Sequence, residues 1–188
     1  MKFKLRPYQE EASKKAVEFF LDEKKNWNAL EVLPTASGKS LILADIAARL
    51  KDKVLVFSPT KEILEQNYKK YCSYGFDNAS IYSASFKSKE ISDVTFATIG
   101  SVKGHPELFT DFKYILIDEV HLVKPESGMY KEFLDKLKSK VIGLTATPFR
   151  LYSYQNYGSI LKFLTRSRDK IFKELIYPKI RNYHPIHD

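Results

Sequence analysis

Cysteine is almost absent from this 188-residue sequence, in which Cys72 stands alone. One cysteine forms neither an internal disulfide nor a zinc cluster, so we expect a reducing, cytoplasmic compartment. No apolar run approaches the ~20 residues that span a bilayer, and the opening MKFKLRPYQEEASKK lacks the apolar stretch of a signal peptide. We therefore expect no membrane partner.

Internal repeats, low-complexity stretches and Gly/Ser linkers are also missing. The sequence is 44% hydrophobic, which is a globular composition, and its length suits one domain with a short appendage. Acidic residues are too few to balance the basic ones, and the formal net charge is +8. This excess indicates either a solvated basic surface or a polyanionic partner, because Lys and Arg release counterions when they bind phosphates.

Short apolar runs rich in β-branched residues alternate with longer amphipathic segments. Alternation of this kind, with strands that are apolar on both faces, predicts an α/β fold in which helices sandwich a mainly parallel sheet. The predicted strands are 29–33, 53–57, 79–82, 94–97, 114–117 and 141–144. The predicted helices are 7–24, 39–50, 60–71 and 130–137, with Pro7 and Thr60 at helix starts.

The regular alternation stops after Arg150, so we divide the chain into a domain over 1–150 and an extension over 151–188. The extension carries seven basic and three acidic residues. It is rich in Tyr and Phe, and the pattern predicts helices near 158–165 and 168–176, followed by an extended end. The ending NYHPIHD has no helix stop signal, and we expect the chain to be a piece of something longer.

The segment Leu33-Pro-Thr-Ala-Ser-Gly-Lys-Ser40 lies between a predicted strand and a predicted helix, which is the context that a phosphate-binding loop requires. Backbone amides and the helix N-terminus would hold the phosphates of ATP, with Lys39 reaching the β- and γ-phosphates and Ser40 binding Mg²⁺. The candidate nucleotide-binding residues of the loop are Thr35, Ala36, Ser37, Gly38, Lys39, Ser40 and Leu41. A simple turn that caps an ordinary helix is the alternative.

The match to G-x-x-x-x-G-K-[ST] is incomplete, because Leu33 stands at the first glycine position. Ala36 occupies a position at which related loops also carry glycine. Alanine does not readily adopt a positive φ, so we expect a conventional backbone angle there.

The segment Tyr114-Ile-Leu-Ile-Asp-Glu-Val-His121 is an apolar strand that ends in two adjacent carboxylates. Ligands of open α/β sheets bind at the carboxyl ends of the strands. We expect Asp118 to hold Mg²⁺ and Glu119 to orient and deprotonate the attacking water. An acidic turn at the surface is the alternative interpretation.

The order of the motifs resembles the first RecA-like motor domain of superfamily 2 helicases and translocases, in particular phage- and restriction-type DNA helicases. The phosphate loop, the D-E-V-H box at 118–121 and T-A-T-P at 145–148 are similar to that family's motifs. So are R-P-Y-Q at 6–9, S-P-T-K-E-I-L-E-Q at 58–66 and A-T-I-G-S at 97–101. The resemblance covers residues 6–150, and for a chain of phage origin it implies the host cytoplasm.

The resemblance also implies roles for residues outside the phosphate loop. The R-P-Y-Q segment at 6–9, the entry motif, would contribute three nucleotide-binding residues: Arg6, Tyr8 and Gln9. Of these, Gln9 would contact the adenine edge. Three residues would couple the nucleotide state to domain motion: His121, Thr145 and Thr147. Three more would contact the phosphates of DNA or RNA: Pro59, Thr60 and Thr98.

In the family that this chain resembles, a second RecA-like domain supplies an arginine finger, and we expect that domain as a partner. Without it, the chain should hydrolyse ATP poorly, because such a finger supplies ~10³–10⁵ in rate. Alternatives to a DNA helicase or translocase are an RNA-acting helicase, a small-molecule P-loop kinase and a non-catalytic nucleotide-gated adaptor. Turnover that depends on nucleic acid would separate the motor from the last two.

Overall fold

The computed structural model describes residues 4–122, 128–166 and 171–179. Its main sheet has eight strands in the order β10-β1-β7-β6-β2-β5-β3-β4. These strands are β1 Asn28–Val32, β2 Val54–Phe57, β3 Ala79–Ser83, β4 Ser88–Lys89, β5 Val94–Ala97, β6 Tyr114–Ile117, β7 Lys140–Thr145 and β10 Phe172–Ile176. Every neighbouring pair is parallel except β3 with β4.

Helices cover both faces of this sheet because the strands alternate the side on which they bury apolar residues. In β2, Val54 and Val56 join one core cluster while Leu55 and Phe57 join the other. The first cluster lies under the helices α1 Pro7–Leu21, α2 Lys39–Leu50 and α3 Lys61–Cys72. The second lies under α4 Ile99–Val102 and α5 Met129–Asp135. The predicted α/β sandwich with a mainly parallel sheet is confirmed.

The boundaries of most predicted elements agree with the structure to within one to three residues. Pro7 is the first residue of α1, and the hydroxyl of Thr60 accepts a hydrogen bond from the Ile63 amide at the start of α3, as the sequence predicts. Among the described residues, no helix combines the length and the apolar character that crossing a bilayer requires.

The helices predicted in the extension are wrong. Residues 149–163 form an antiparallel hairpin of β8 Phe149–Tyr154 and β9 Gly158–Phe163, and β10 adds to the main sheet beside β1. Apolar residues at 172, 175 and 176 fit a helical period, but pairing with the edge of β1 satisfies this segment's backbone instead. Residues 167–170 and the predicted extended end over 180–188 lie outside the described residues.

Candidate functional site

The parallel strands β1, β6 and β7 end at one edge of the sheet, and the motifs follow these ends. The phosphate loop connects β1 to α2, while the two carboxylates come directly after β6. Together they border a pocket of about 450 Å³. Its lining consists of Ala36, Ser37, Gly38, Lys39, Ser40, Leu41, Ile63, Gln66, Lys70, Asp118 and Glu119. The structure therefore brings the loop and the acidic motif together as predicted.

The loop turns through two left-handed residues, Ala36 with φ 60° and Gly38 with φ 81°. The expected conventional backbone angle at Ala36 is wrong. A left-handed conformation costs an L-residue roughly 1–2 kcal/mol, and alanine has the smallest side chain that bears this cost. The short connection between β1 and α2 needs the tight reversal, and hydrogen bonds from α1 hold it in place.

The entry motif on α1 supports the loop through a single carbonyl. The Tyr8 hydroxyl and the Gln9 Nε2 each donate to the Ser37 carbonyl oxygen at 2.9 Å. Gln9 is buried rather than exposed, and its Oε1 accepts from the Arg6 amide at 2.9 Å. The amide retains one donor and one acceptor site beyond these bonds. A contact between Gln9 and adenine stays a prediction.

The N-terminus of α2 points into the pocket without a protein cap. Gly38 is the N-cap residue, and no side chain caps the first turn, which begins with Lys39 and Ser40. The first amides of a helix have no intrahelical acceptor and carry partial positive charge, so they form an anion site. This end of α2 can therefore hold a phosphate group.

Lys39 and Glu119 meet across the pocket. The Lys39 Nζ lies 3.1 Å from the Glu119 Oε1, and both side chains are mostly buried. The other carboxylate oxygen of Glu119 lies 3.3 Å from the His121 Nδ1. Glu119 itself has φ 48°, a strained value for a residue with a side chain, of the kind that clusters at functional sites. In this conformation the Glu119 carboxylate pairs with Lys39, while the neighbouring Asp118 is held by Asn67.

Asp118 is 3% exposed and held from two sides. The Asn67 Nδ2 donates to its Oδ2 at 2.9 Å, and the Glu119 amide donates to its Oδ1 at 2.8 Å. Burial raises the pKa of Asp118 above its ordinary value; the Asn67 hydrogen bond opposes this shift and the charge of Glu119 adds to it. The donors keep the carboxylate oriented toward the pocket that it lines.

Asn67 is a site residue that the sequence analysis missed. It is buried on α3 and donates to both Asp118 and the Ser58 hydroxyl, the latter at 3.1 Å. A signal was available, because Leu64, Asn67 and Tyr71 share one helical face, and that face is buried. A polar residue among the apolar positions of a buried face needs partners, so it indicates a buried polar contact.

The pocket also fits magnesium. Ser40 and Asp118 line it together and offer a hydroxyl and a carboxylate. Oxygen donors of this kind suit Mg²⁺, which commonly keeps several water ligands and binds through one or two carboxylates and the substrate phosphates. The two predicted magnesium ligands, Ser40 and Asp118, therefore line the same pocket, and magnesium binding by them stays a prediction.

The predicted coupling residues are connected to the acidic motif. The His121 Nδ1 and the Thr145 hydroxyl lie 2.9 Å apart, and Thr145 is fully buried at the end of β7. The Thr147 amide donates to the same hydroxyl at 3.0 Å, so Thr147 takes part through its backbone. A continuous chain of contacts runs from Glu119 through His121 to the T-A-T-P segment.

The predicted nucleic-acid residues lie at the same edge of the sheet, beyond the nucleotide pocket. Pro59 and Thr60 follow β2, and Thr98 follows the neighbouring β5. The Thr98 hydroxyl joins a small polar cluster with Ser101 at 2.9 Å and Ser83 at 3.3 Å. The structure brings these residues to adjacent strand ends, and a phosphate contact there stays a prediction.

A RecA-like α/β domain with a phosphate loop and an acidic strand end defines the class of this protein. Residues 2–150 match the family described as "Type III restriction enzyme, res subunit", and the chain belongs to that family. The resemblance to the first RecA-like domain of superfamily 2 helicases is thereby confirmed.

The chain is 32% identical over 152 residues to the DNA 3'-5' translocase XPB2 of Sulfurisphaera tokodaii, a match that covers 79% of this chain and 32% of the relative. It thus spans about a third of that protein.

Two solved structures share the fold. The UvsW helicase of bacteriophage T4 superposes with a TM-score of 0.67 at 21% identity, covering 94% of this chain and 61% of that one. The Sulfolobus solfataricus SWI2/SNF2 ATPase core, solved in complex with dsDNA, superposes with a TM-score of 0.63 at 22% identity, covering 79% and 33%.

Proposed function

We propose that this chain is the ATP-binding part of a nucleic-acid-dependent ATPase, a DNA helicase or translocase. The observation that carries the proposal is the meeting of Lys39 and Glu119 at 3.1 Å, beside the uncapped end of α2. A phosphate-binding cation and a carboxylate able to accept a proton share one pocket there. The family and the relatives described above support the same class of function.

The residues divide the work by position. Lys39 and the first amides of α2 bind the phosphates of ATP, and Ser40 and Asp118 hold Mg²⁺, which neutralises developing charge on those phosphates. Glu119 orients the attacking water and accepts its proton. The ion pair between Lys39 and Glu119 also keeps both side chains in the pocket before ATP binds.

The contact between His121 and Thr145 offers a route by which hydrolysis could move other parts of the protein. The His121 Nδ1 lies 3.3 Å from the Glu119 carboxylate and 2.9 Å from the Thr145 hydroxyl, so one ring atom contacts both groups. A change at the carboxylate would therefore reach β7 and the segment that follows it. Coupling through such contiguous contacts fits a motor that changes shape with its nucleotide.

DNA is the proposed polymer partner, and the support is of three kinds. One relative is a DNA translocase, and one fold neighbour was solved in complex with dsDNA. The net charge of +8 favours a polyanion. Pro59, Thr60 and Thr98 form the proposed phosphate contacts, and such contacts position a strand without reading its sequence.

A second RecA-like domain is a further proposed partner, because the relatives are longer than this chain. That domain would supply the arginine finger, and hydrolysis by the 188-residue chain alone would be weak.

Isothermal titration with ATP and ADP tests the nucleotide site. We expect Lys39→Ala to weaken binding about ten-fold or more, because a hydrogen bond to a charged group contributes about 1.5–3 kcal/mol. The control is Lys14→Ala, which removes an exposed lysine on α1 outside the pocket lining. Equal affinities of wild type and Lys39→Ala would contradict the assignment.

Hydrolysis assays on a protein that includes the proposed second RecA-like domain, with single-stranded, double-stranded and forked DNA and with RNA, test the function. Stimulation by DNA supports the motor, and stimulation by RNA alone supports the RNA-acting alternative. Phosphate transfer to a small acceptor would indicate a kinase, and binding of ATP without any hydrolysis would indicate an adaptor.

A further inference from the structure

The hairpin of β8 and β9 is the most exposed apolar part of the described chain. Among all the described residues, nine large hydrophobic side chains are exposed, and five of these nine lie within 149–163. These five are Leu151, Tyr154, Tyr157, Ile160 and Leu161. Two-stranded hairpins are marginal on their own, and clustered apolar exposure marks a binding surface. This exposed apolar surface therefore indicates that the hairpin binds a partner.

The hairpin is firmly attached at its base. Phe149 and Phe163 pack edge to face with ring centroids 6.1 Å apart, and the Leu164 amide donates to the Pro148 carbonyl at 2.6 Å. Leu164 is buried in the core cluster beneath α5. At the tip, Gly158 has φ 77°, which lets the chain reverse. An anchored base with an exposed tip presents the strands to a partner in a defined orientation.

The two faces of the hairpin differ in chemistry. Cross-strand pairing places Arg150, Tyr152 and Tyr154 on one face, opposite Lys162 and Ile160. The other face carries Phe149, Leu151, Ser153, Ser159, Leu161 and Phe163. One face is thus aromatic and basic, and the other is apolar with two hydroxyls.

Lys162 joins the aromatic face into one surface. Its Nζ lies 5.5 Å from the ring centroid of Tyr152 and 5.8 Å from that of Tyr154, and it donates to the Tyr154 hydroxyl at 3.1 Å. Residues 149–163 include two basic residues and no acidic one. Tyrosine rings with adjacent cations form the surface on which nucleic-acid bases stack while phosphates pair with the cations.

The hairpin also rises from the edge of the sheet that carries the proposed phosphate contacts. It follows β7, and only β6 separates β7 from β2, whose end carries Thr60. A strand bound across these carboxyl ends passes close to the hairpin base, because neighbouring strands lie about 4.8 Å apart.

We propose that the face formed by Arg150, Tyr152, Tyr154 and Lys162 binds single-stranded nucleic acid by stacking its bases on the tyrosine rings. Duplex bases are stacked on each other and offer no free ring faces, so the face prefers single strands. The inference rests on the proposed function and adds to it a contact outside the recognised motifs.

Fluorescence anisotropy of the 188-residue chain with a labelled oligothymidylate tests the inference. In the double variant Tyr152→Leu/Tyr154→Leu the charge is unchanged and the rings are gone. We expect at least about five-fold weaker binding, because stacking on an aromatic side chain is lost, and an unchanged salt slope. The matched control is Leu151→Thr/Leu161→Thr on the opposite face, which should bind within two-fold of wild type.

Photocrosslinking of the wild type with an oligonucleotide that contains 5-iodouridine supplies a second measurement that needs no variant. Trypsin cleaves after Arg150 and Lys162, so the peptide 151–162 should carry the adduct. The inference would be overturned if wild type did not bind, if the tyrosine variant bound as tightly as wild type, or if the control variant lost as much affinity as the tyrosine variant. Adducts found only on other peptides would also overturn it.

Hydrolysis keeps the two proposals distinguishable. Hydrolysis is measured with the proposed second RecA-like domain present. Binding that depends on the tyrosines, without any nucleic-acid stimulation of this hydrolysis, supports the hairpin surface and contradicts the motor. If nucleic acid stimulates hydrolysis but the tyrosine variant binds nucleic acid as tightly as wild type, the motor is supported and the hairpin surface is contradicted.

Discussion

The nucleotide pocket and the β8–β9 hairpin lie at the same edge of the sheet and are built in opposite ways. In the pocket, Asp118 is buried and held by Asn67 and a backbone amide, and Glu119 pairs with Lys39. In the hairpin, most side chains between the base and the tip face solvent. Buried, partnered groups fix a geometry that chemistry requires, whereas exposed groups keep their surface for a partner.

Glu119→Gln should give the largest effect and the clearest contrast between the two regions. The amide keeps the size of the side chain but cannot accept a proton, so we expect hydrolysis to fall at least about 10²-fold while ATP still binds. Single-turnover hydrolysis without nucleic acid, in a protein that includes the proposed second RecA-like domain, measures the change. The hairpin variant Tyr152→Leu/Tyr154→Leu should leave that rate unchanged. Turnover by Glu119→Gln within a few-fold of wild type would show that another group is the base.

Glu31 breaks the rule that buried polar groups are partnered. It lies in β1, is fully buried, and neither carboxylate oxygen has a hydrogen-bond partner among the described residues. Burial raises its pKa well above the ordinary value of 4.5, and the charge of Lys15 opposes the shift. At a pH between the unfolded and the folded pKa, the folded state therefore holds a proton that the unfolded state has released.

The pH dependence follows from that proton. Stability should be lost as the pH rises from the unfolded pKa toward the folded one, by about 1.4 kcal/mol per pH unit. Glu31→Gln removes this loss, so the free energy of unfolding of the variant, measured in urea, should rise relative to that of wild type as the pH increases above the ordinary value of 4.5. A gap between the two proteins that is constant with pH would show that Glu31 is solvated or ionised in the folded state.

Much of this architecture could be predicted because the pocket is encoded locally. The G-K-S triplet, the apolar run before Asp118 and the helix caps each act over a few residues, so the sequence predicts them. The hairpin and β10 depend on distant partners, namely each other's strands and the open edge of β1. Their short apolar runs fit helical and extended periods alike, and pairing decided between the two. The helical pattern could indicate that Asn67 is buried, but it could not identify the partner Asp118, which lies 51 residues away.

Removal of one side-chain hydrogen bond from each region should lower the free energy of unfolding more in the pocket than in the hairpin. This difference is smaller than the effect expected at Glu119. Asn67→Ala deprives Asp118 of a donor in the buried site and should destabilise the fold by roughly 1–3 kcal/mol. Ser153→Ala removes the 2.9 Å contact with Ser159 on the exposed hairpin and should change stability by less than about 0.5 kcal/mol. Urea unfolding of both variants measures the difference. Equal losses would mean that the hairpin is as well packed as the pocket.

The smallest effect is expected at Ala36, where the sequence-based expectation of an ordinary backbone angle was wrong. Ala36→Gly relieves the left-handed strain of roughly 1–2 kcal/mol but adds about 0.5–1 kcal/mol of backbone entropy to the unfolded chain. The two terms nearly cancel, so stability should stay constant or rise slightly. Ala36→Val keeps the strain and adds a branched side chain in a conformation that such residues avoid, so it should lower both stability and ATP affinity. Thermal unfolding and isothermal titration of the pair measure the contrast. If the valine variant matches wild type in both, Ala36 does not adopt the left-handed conformation in solution, and the loop holds its phosphate site with a different turn.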